Sequence, residues 1–378
     1  MLSGGAARGA YEAGVMRFVF GDLARRIGRA TWPDVVSGTS VGALNGVFAA
    51  ARDGVGLGTL TGVWQHMKVE DIYRFEPGRA LRQLLRPTRG ESFALLDPAP
   101  FHALVERRFP GMALRRAIDN GLTRAFIVAA TEVSTGFNSL YVDGRAEIPA
   151  QPGSRIYRTR MSGEHCRASA AIPFVFPAVP IDGRHHVDGG LRQNTPLRPV
   201  IAAGVTRALV IGVKQEREKE AKSRSLGGPS AAKSNERPSL LFLAGKMLNA
   251  LLLDPIERDL WSAEYRNDLL SWGVSRYGAD FEAAASERGL RRIEITYVQP
   301  SADLGRMAGE IYRARPPKAS KSVRFLLDRV HAYTHDIEAD FLSYLYFDSA
   351  YTGALEALGY EDARRHEEQI VQLLESPN

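Results

Sequence analysis

Asp34-Val35-Val36-Ser37-Gly38-Thr39-Ser40-Val41-Gly42 is the stretch on which the fold class of this chain turns. Its first four residues, with β-branched Val35 and Val36, run into Gly38, and Gly42 to Arg52 has the small, apolar character of a packed helix. Gly38-Thr39-Ser40-Val41-Gly42 between them matches G-x-S-x-G, with a strand before it and a helix after it, the context that gives the pattern meaning. Such a turn is sharp, and a side chain at either glycine would crowd the backbone. It throws the Ser40 hydroxyl clear of the sheet and sets it at a helix N-terminus, where free N–H groups and the helix dipole favour developing negative charge. Ser40 is therefore the candidate nucleophile. A plain glycine-rich strand-to-helix turn is the alternative.

The same alternation continues outward. Ala125 to Ala130 and Ala208 to Val213 are continuous apolar runs, which suit strands covered on both faces of a sheet. With helical patterns between them, residues 1–213 read as a three-layer α/β/α architecture on a mostly parallel central sheet. Residues 214–239 change character, from alternating charges to glycine, proline and serine, and read as a flexible polar insertion. Residues 240–378 read as a mostly helical extension that contributes one further strand at about 291–298, with Glu361 to Glu375 as a charged terminal helix.

The chain has 378 residues, enough for one large α/β domain with additions. Its 44% hydrophobic and 24% charged residues are near globular averages, which argues against wholesale disorder. The single cysteine, Cys166, excludes an intramolecular disulfide and a cysteine-based zinc site. No His/Cys/Asp cluster has ligand spacing, so neither a metal nor another cofactor is expected. The longest uncharged run near the start, Val35 to Ala51, is broken by glycines and polar residues, and Met1-Leu2 lead straight into Ser3-Gly4-Gly5. No membrane span and no signal peptide are expected, and the location reads as cytoplasmic or peripheral to a membrane. The net charge is +6, and the arginines at 74, 79, 82, 86, 89, 107, 108, 115 and 116 supply much of it. A basic surface of this kind can meet nucleic acid, anionic headgroups or acidic substrates, and its sign alone does not choose.

Two further segments bear on chemistry. Gly4-Gly5-Ala6-Ala7-Arg8-Gly9 precedes an apolar helical pattern from Tyr11 to Phe20, and small residues at a helix start expose N–H donors that can cradle a phosphate or an oxyanion. A dinucleotide fingerprint would need glycine where Ala6 stands. Val187-Asp188-Gly189-Gly190 follows the proline-punctuated run Ala168 to Pro177, and alone it reads as a tight turn.

Taken in order, these three segments resemble the patatin-like phospholipase family, in a bacterial-type member, over about residues 1–213. The resemblance implies a patatin-like sandwich and a serine acyl hydrolase of the phospholipase A or lysophospholipase type. In that reading Ser40 and Asp188 form a dyad, Gly38 and Gly42 shape the nucleophile elbow, and Gly189 and Gly190 belong to the aspartate motif. Gly4, Gly5, Ala6, Arg8 and Gly9 form the oxyanion loop, with donors around Gly5 and Ala6 and with Arg8 supporting the loop. Asn194-Thr195-Pro196 also resembles a family segment near the aspartate. Ala6 departs from the glycine that many members carry, and at most three residues of strand precede the loop. The implied partner is a phospholipid or lysophospholipid, with peripheral contact to an anionic membrane surface and no nucleic acid; no oligomeric state is implied. A catalytically weak or inactive lipid- or protein-binding scaffold on the same fold is the alternative.

An ordinary aspartate, with a pKa of about 3.9, is a poor base for a serine hydroxyl, so burial under Ile172 to Pro180 is expected to raise it. A Ser–His–Asp triad would require His331, His335 or His366, all in or beside charged helical sequence where solvated histidines are expected. His185 and His186 are candidates only for substrate contact. Leu240 to Leu253, with Trp261 and Trp272 further along, reads either as a mobile cover or interfacial helix or as ordinary helix packing.

Overall fold

The computed structural model describes residues 1–85, 93–215, 255–332 and 340–376. The bulk of the polar insertion, the Leu240–Leu253 stretch, His335, Arg86 and Arg89 lie outside the described residues. Among the described residues there are eight strands: β1 (Val35–Thr39), β2 (Ala125–Glu132), β3 (Asn138–Gly144), β4 (Ser154–Arg158), β5 (Val179–Ile181), β6 (Arg184–Asp188), β7 (Arg207–Ile211) and β8 (Glu294–Val298).

β2 is the spine of the sheet. It pairs with β3 along one edge, and β4 continues from β3. Its other edge is shared end to end: β1 lies parallel to Ala125–Ala129, and β6 lies antiparallel to Ala130–Glu132. β7 and β8 form a parallel pair, and Leu2 joins it to the rest through parallel bridges to Gly38 and Ile211. The pairings make β1, β2, β5, β7 and β8 run one way and β3, β4 and β6 the other, so the sheet is mostly but not purely parallel.

All eight residues of β2 are buried, as its unbroken apolar run requires. Phe126, Val128 and Ala130 face one apolar core, which also takes in the helices Gly9–Arg17, Val41–Ala51 and Ser349–Arg365. Ala125, Ile127 and Ala129 face another, closed by Val200 and Ala203 at the helix Leu197–Ala202. The long helix Pro255–Tyr277 sets Ala263 against Ala208 and Val210 of β7. Helices on both faces of one sheet make the three-layer α/β/α sandwich. The charged C-terminal stretch is not one helix, because Ser349–Arg365 ends at His366 and a separate helix, Glu367–Glu375, follows. Among the described residues no helix is long and apolar enough to cross a membrane.

Candidate functional site

The topology brings two chain segments head to head. β1 runs parallel to β2 and β6 antiparallel to it, so their C-terminal ends converge: Thr39 lies opposite Ala129 and Asp188 opposite the next residue, Ala130. Ser40 follows Thr39, which places it beside Asp188.

Ser40 holds the turn at φ 56° and ψ −126°, a left-handed conformation that costs a non-glycine residue about 1–3 kcal/mol. The glycines make the turn possible. A Cβ on Gly38 would lie 2.3 Å from Gly42 O, and one on Gly42 would lie 2.5 Å from Leu2 O, so the helix could not close against the sheet. Ser40 N–H donates to Ser169 Oγ at 2.8 Å, and the Ser169 hydroxyl donates onward to Ala129 O at 2.6 Å. Nothing in the run Ala168-Ser169-Ala170 marks Ser169 for this duty in the sequence.

Asp188 is fully buried, and its backbone is held on both sides. Its N–H donates to Ala171 O at 2.9 Å, and its carbonyl accepts from Thr131 Oγ1 at 3.0 Å. Gly189 is needed because a Cβ there would lie 2.3 Å from Ala129 O. Gly190 N–H donates to Asp188 Oδ1 at 2.7 Å, while Oδ2 is buried without a well-formed hydrogen bond. Burial pushes the carboxyl up to about 6, and the adjacent Ser40 hydroxyl and Gly190 N–H offset part of that rise.

In the N-terminal loop, Gly4 exchanges hydrogen bonds with Asn194: its N–H donates to Asn194 O at 3.1 Å, and Asn194 Nδ2 donates to Gly4 O at 3.2 Å. The Gly4 N–H is thus committed to the fold, and a Cβ on Gly4 would lie 3.2 Å from Ser40 Cβ, so the loop runs close against the serine. Gly5 and Ala6 N–H have no acceptor among the described residues, although Arg8 N–H returns to Gly5 O at 3.0 Å. Ala6 sits at φ 50°, where glycine would be unstrained. Arg8 is buried and faces the helix Asp340–Leu345, a contact that no local signal in the sequence announces. Gly9 begins the helix that follows the loop and abuts Val41 of the elbow helix.

The histidines lie elsewhere. His186 is buried, shares its Nε2 with Ser139 Oγ and Tyr141 OH at 3.2 and 3.0 Å, and is not exposed for substrate contact as expected. Burial lowers its pKa. His331 packs on the Tyr312 ring, and His366 Nδ1 lies 2.8 Å from Asp362 O. None of these contacts reaches Ser40 or Asp188.

Ser40 and Ala6 open onto a cavity with an empty volume of about 840 Å³, part of it continuous with solvent. Leu44 and Phe48 of the elbow helix, Trp64, Phe101, Val105 and Phe176 form much of its wall. Of its twenty-one lining residues only Ser40, Asn45 and Arg108 carry markedly polar side chains, and Asn45 is already held by Trp64 Nε1 at 3.1 Å. A lining this apolar suits an acyl chain.

No curated protein matches the sequence. Among solved structures, the crystal structure of VipD from Legionella pneumophila aligns over 100% of this chain and 92% of its own, at 12% identity and a TM-score of 0.32, a likeness too slight to bear on fold or activity. The sequence profile described as patatin-like phospholipase matches residues 1–201, more than half of the chain. The chain therefore belongs to the patatin-like phospholipase family.

Proposed function

We propose that this family member, a lipid hydrolase at the level of its family, cleaves carboxylic esters of phospholipids or lysophospholipids through Ser40 and Asp188. The observation that carries the reading is the meeting of a buried carboxylate with a strained serine that lines an apolar cavity. Asp188 takes the hydroxyl proton as Ser40 Oγ attacks the ester carbonyl. Gly5 and Ala6 N–H hold the resulting oxyanion, each such donor contributing roughly 3–4 kcal/mol. The intermediate then expels the lysophospholipid or glycerophosphodiester alkoxide, which recovers the proton from Asp188, and leaves an acyl-enzyme. Water, deprotonated by Asp188, attacks the acyl carbon; the intermediate collapses to the fatty acid and expels Ser40 Oγ, which takes the proton back from Asp188. No cofactor enters these steps.

Replacement of Ser40 by Ala and of Asp188 by Asn should each abolish hydrolysis of a defined phospholipid panel read by mass spectrometry. A fluorophosphonate probe should label the parent and not the Ser40→Ala protein. Equal loss on replacing His331, His335 or His366 by Ala would displace the dyad. A catalytically weak member is the second reading, favoured by the left-handed Ala6 in the loop; failure of the probe to label folded parent would select it.

A further inference from the structure

We propose that the protein docks on anionic lipid bilayers through one face, formed by the helix Pro77–Leu85, the segment Phe93–Leu96 and the turn at Phe174. Three contacts make this face continuous with the pocket. Ala94 N–H donates to Gln83 Oε1 at 3.3 Å, Leu95 N–H to Phe174 O at 2.9 Å and Leu96 N–H to Val175 O at 3.0 Å. Ile172 and Phe176, on either side of Phe174 in sequence, belong to the cavity wall, and Phe176 stacks on Phe101.

The face presents apolar side chains to solvent. Phe174 is 69% exposed, Leu85 70%, Leu81 56% and Phe93 38%. Phe174 sits at φ 65°, a strained conformation for an aromatic residue. A surface of this kind marks a binding site rather than a chance exposure.

Charge selects the occupant. Residues 72–116 hold nine arginines and four acidic residues, which is most of the chain's excess of +6. Arg82 and Arg108 are exposed, and neither has an ion-pair partner among the described residues. Arg108 also lines the cavity, so the positive charge lies where the pocket meets solvent. Exposed apolar side chains beside Arg82, with Arg108 where the pocket opens, match a bilayer with anionic headgroups. A rival surface exists on the helix Pro255–Tyr277, where Trp261, Tyr265, Leu269 and Trp272 are exposed along one side. That helix carries four acidic residues against three arginines and packs on β7 and β8, away from the Ser40 cavity.

The docking itself is independent of turnover, whereas its use for substrate delivery rests on the hydrolase reading above. The test uses full-length Ser40→Ala protein co-sedimented with vesicles of phosphatidylcholine alone or mixed with phosphatidylglycerol. Binding to the mixed vesicles should be about tenfold tighter and should weaken as salt is raised. Phe174→Asp, and separately Leu81→Asp with Leu85→Asp, should each lower it about tenfold with far-UV circular dichroism unchanged, and Arg82→Glu should remove part of the preference for anionic lipid. Equal affinity for both vesicle types would overturn the proposal. So would loss of binding on Trp261→Ser with Trp272→Ser in place of Phe174→Asp, or a lipid-free dimer that Phe174→Asp dissolves. Hydrolysis of a water-soluble ester by the Ser40-bearing protein reports on the hydrolase reading alone; its absence with vesicle binding intact would sink that reading and leave the docking supported.

Discussion

Arg8 Nε donates to Ser343 Oγ at 2.8 Å across 335 residues of chain, and its guanidinium lies 4.4 Å from the centre of the Tyr344 ring. The loop that carries Gly5 and Ala6 is thereby tied to a helix far outside the segment that holds Ser40 and Asp188. A hydrogen bond to a buried charge contributes about 1.5–3 kcal/mol, and Ser343→Ala should destabilise the fold by an amount in that range. Because the loop donors shift while the cavity wall does not, kcat on a soluble ester should fall more than KM rises, and Tyr344→Leu should act in the same sense. Steady-state kinetics beside thermal denaturation decide the matter. Lost stability with kcat intact would reduce the contact to ordinary packing.

Ala6 is the one residue of the loop whose side chain works against its backbone. At φ 50° an alanine is strained by about 1–2 kcal/mol, which glycine avoids. Ala6→Gly also frees the unfolded chain, an opposing term of about 0.5–1 kcal/mol, so net stability should move by less than about 1 kcal/mol. The Ala6 N–H gains freedom to settle on the oxyanion, and the acylation rate by a fluorophosphonate should rise about two- to tenfold. An unchanged or slower rate would mean that the alanine is compatible with the working geometry of the loop.

The parts of this site legible in the sequence are those whose residue types answer to local backbone geometry. Gly38, Gly42 and Gly189 are glycines because a Cβ would strike a carbonyl a short distance away, and the apolar run of β2 is apolar because both its faces are covered. The meeting of β1 with β6 was not legible, since it depends on two strands sharing one edge of β2 in opposite directions. Short, partly exposed strands such as β4 and β5 carry too little pattern to read. The use of Gly4 N–H by Asn194, the Ser169 hydroxyl under the elbow and the anchoring of Arg8 are all long-range hydrogen bonds, which no spacing rule encodes.

Glu12 is a fully buried carboxyl that the proposed chemistry does not use. Its Oε2 accepts from Asn45 Nδ2 at 2.9 Å, while Oε1 has no partner among the described residues. Burial pushes its pKa up to about 8, against the opposing pull of the Asn45 and Ser3 N–H groups. The folded state therefore keeps a proton that the unfolded chain loses from about pH 4.5 upward, and the stability this proton carries is lost as pH rises toward 8. Glu12→Gln retains an acceptor for Asn45 and cannot ionise. Its advantage over the parent should be small at pH 5 and grow to as much as roughly 5 kcal/mol at pH 9. Denaturant melts across that range give the answer, and an advantage that did not grow with pH would show the carboxyl to be solvated.

Asp188 should link activity and stability with opposite signs. Its carboxyl, raised by burial to about 6, must be ionised to accept the Ser40 proton, so kcat/KM on a soluble ester should fall about tenfold per pH unit below that value. The folded state meanwhile holds its proton better than the unfolded chain, so this group's contribution to stability is present below about pH 4 and disappears as pH rises through 6. Asp188→Asn keeps an acceptor for Gly190 N–H and carries no charge. It should lose about 10²–10⁴-fold or more in turnover while gaining roughly 3 kcal/mol over the parent at pH 8 and little at pH 4. A pH–rate profile of the parent, with melts of both proteins, tests the two halves separately. An acid limb near pH 4, or a variant no more stable than the parent at pH 8, would mean that Asp188 is not the buried base its surroundings imply.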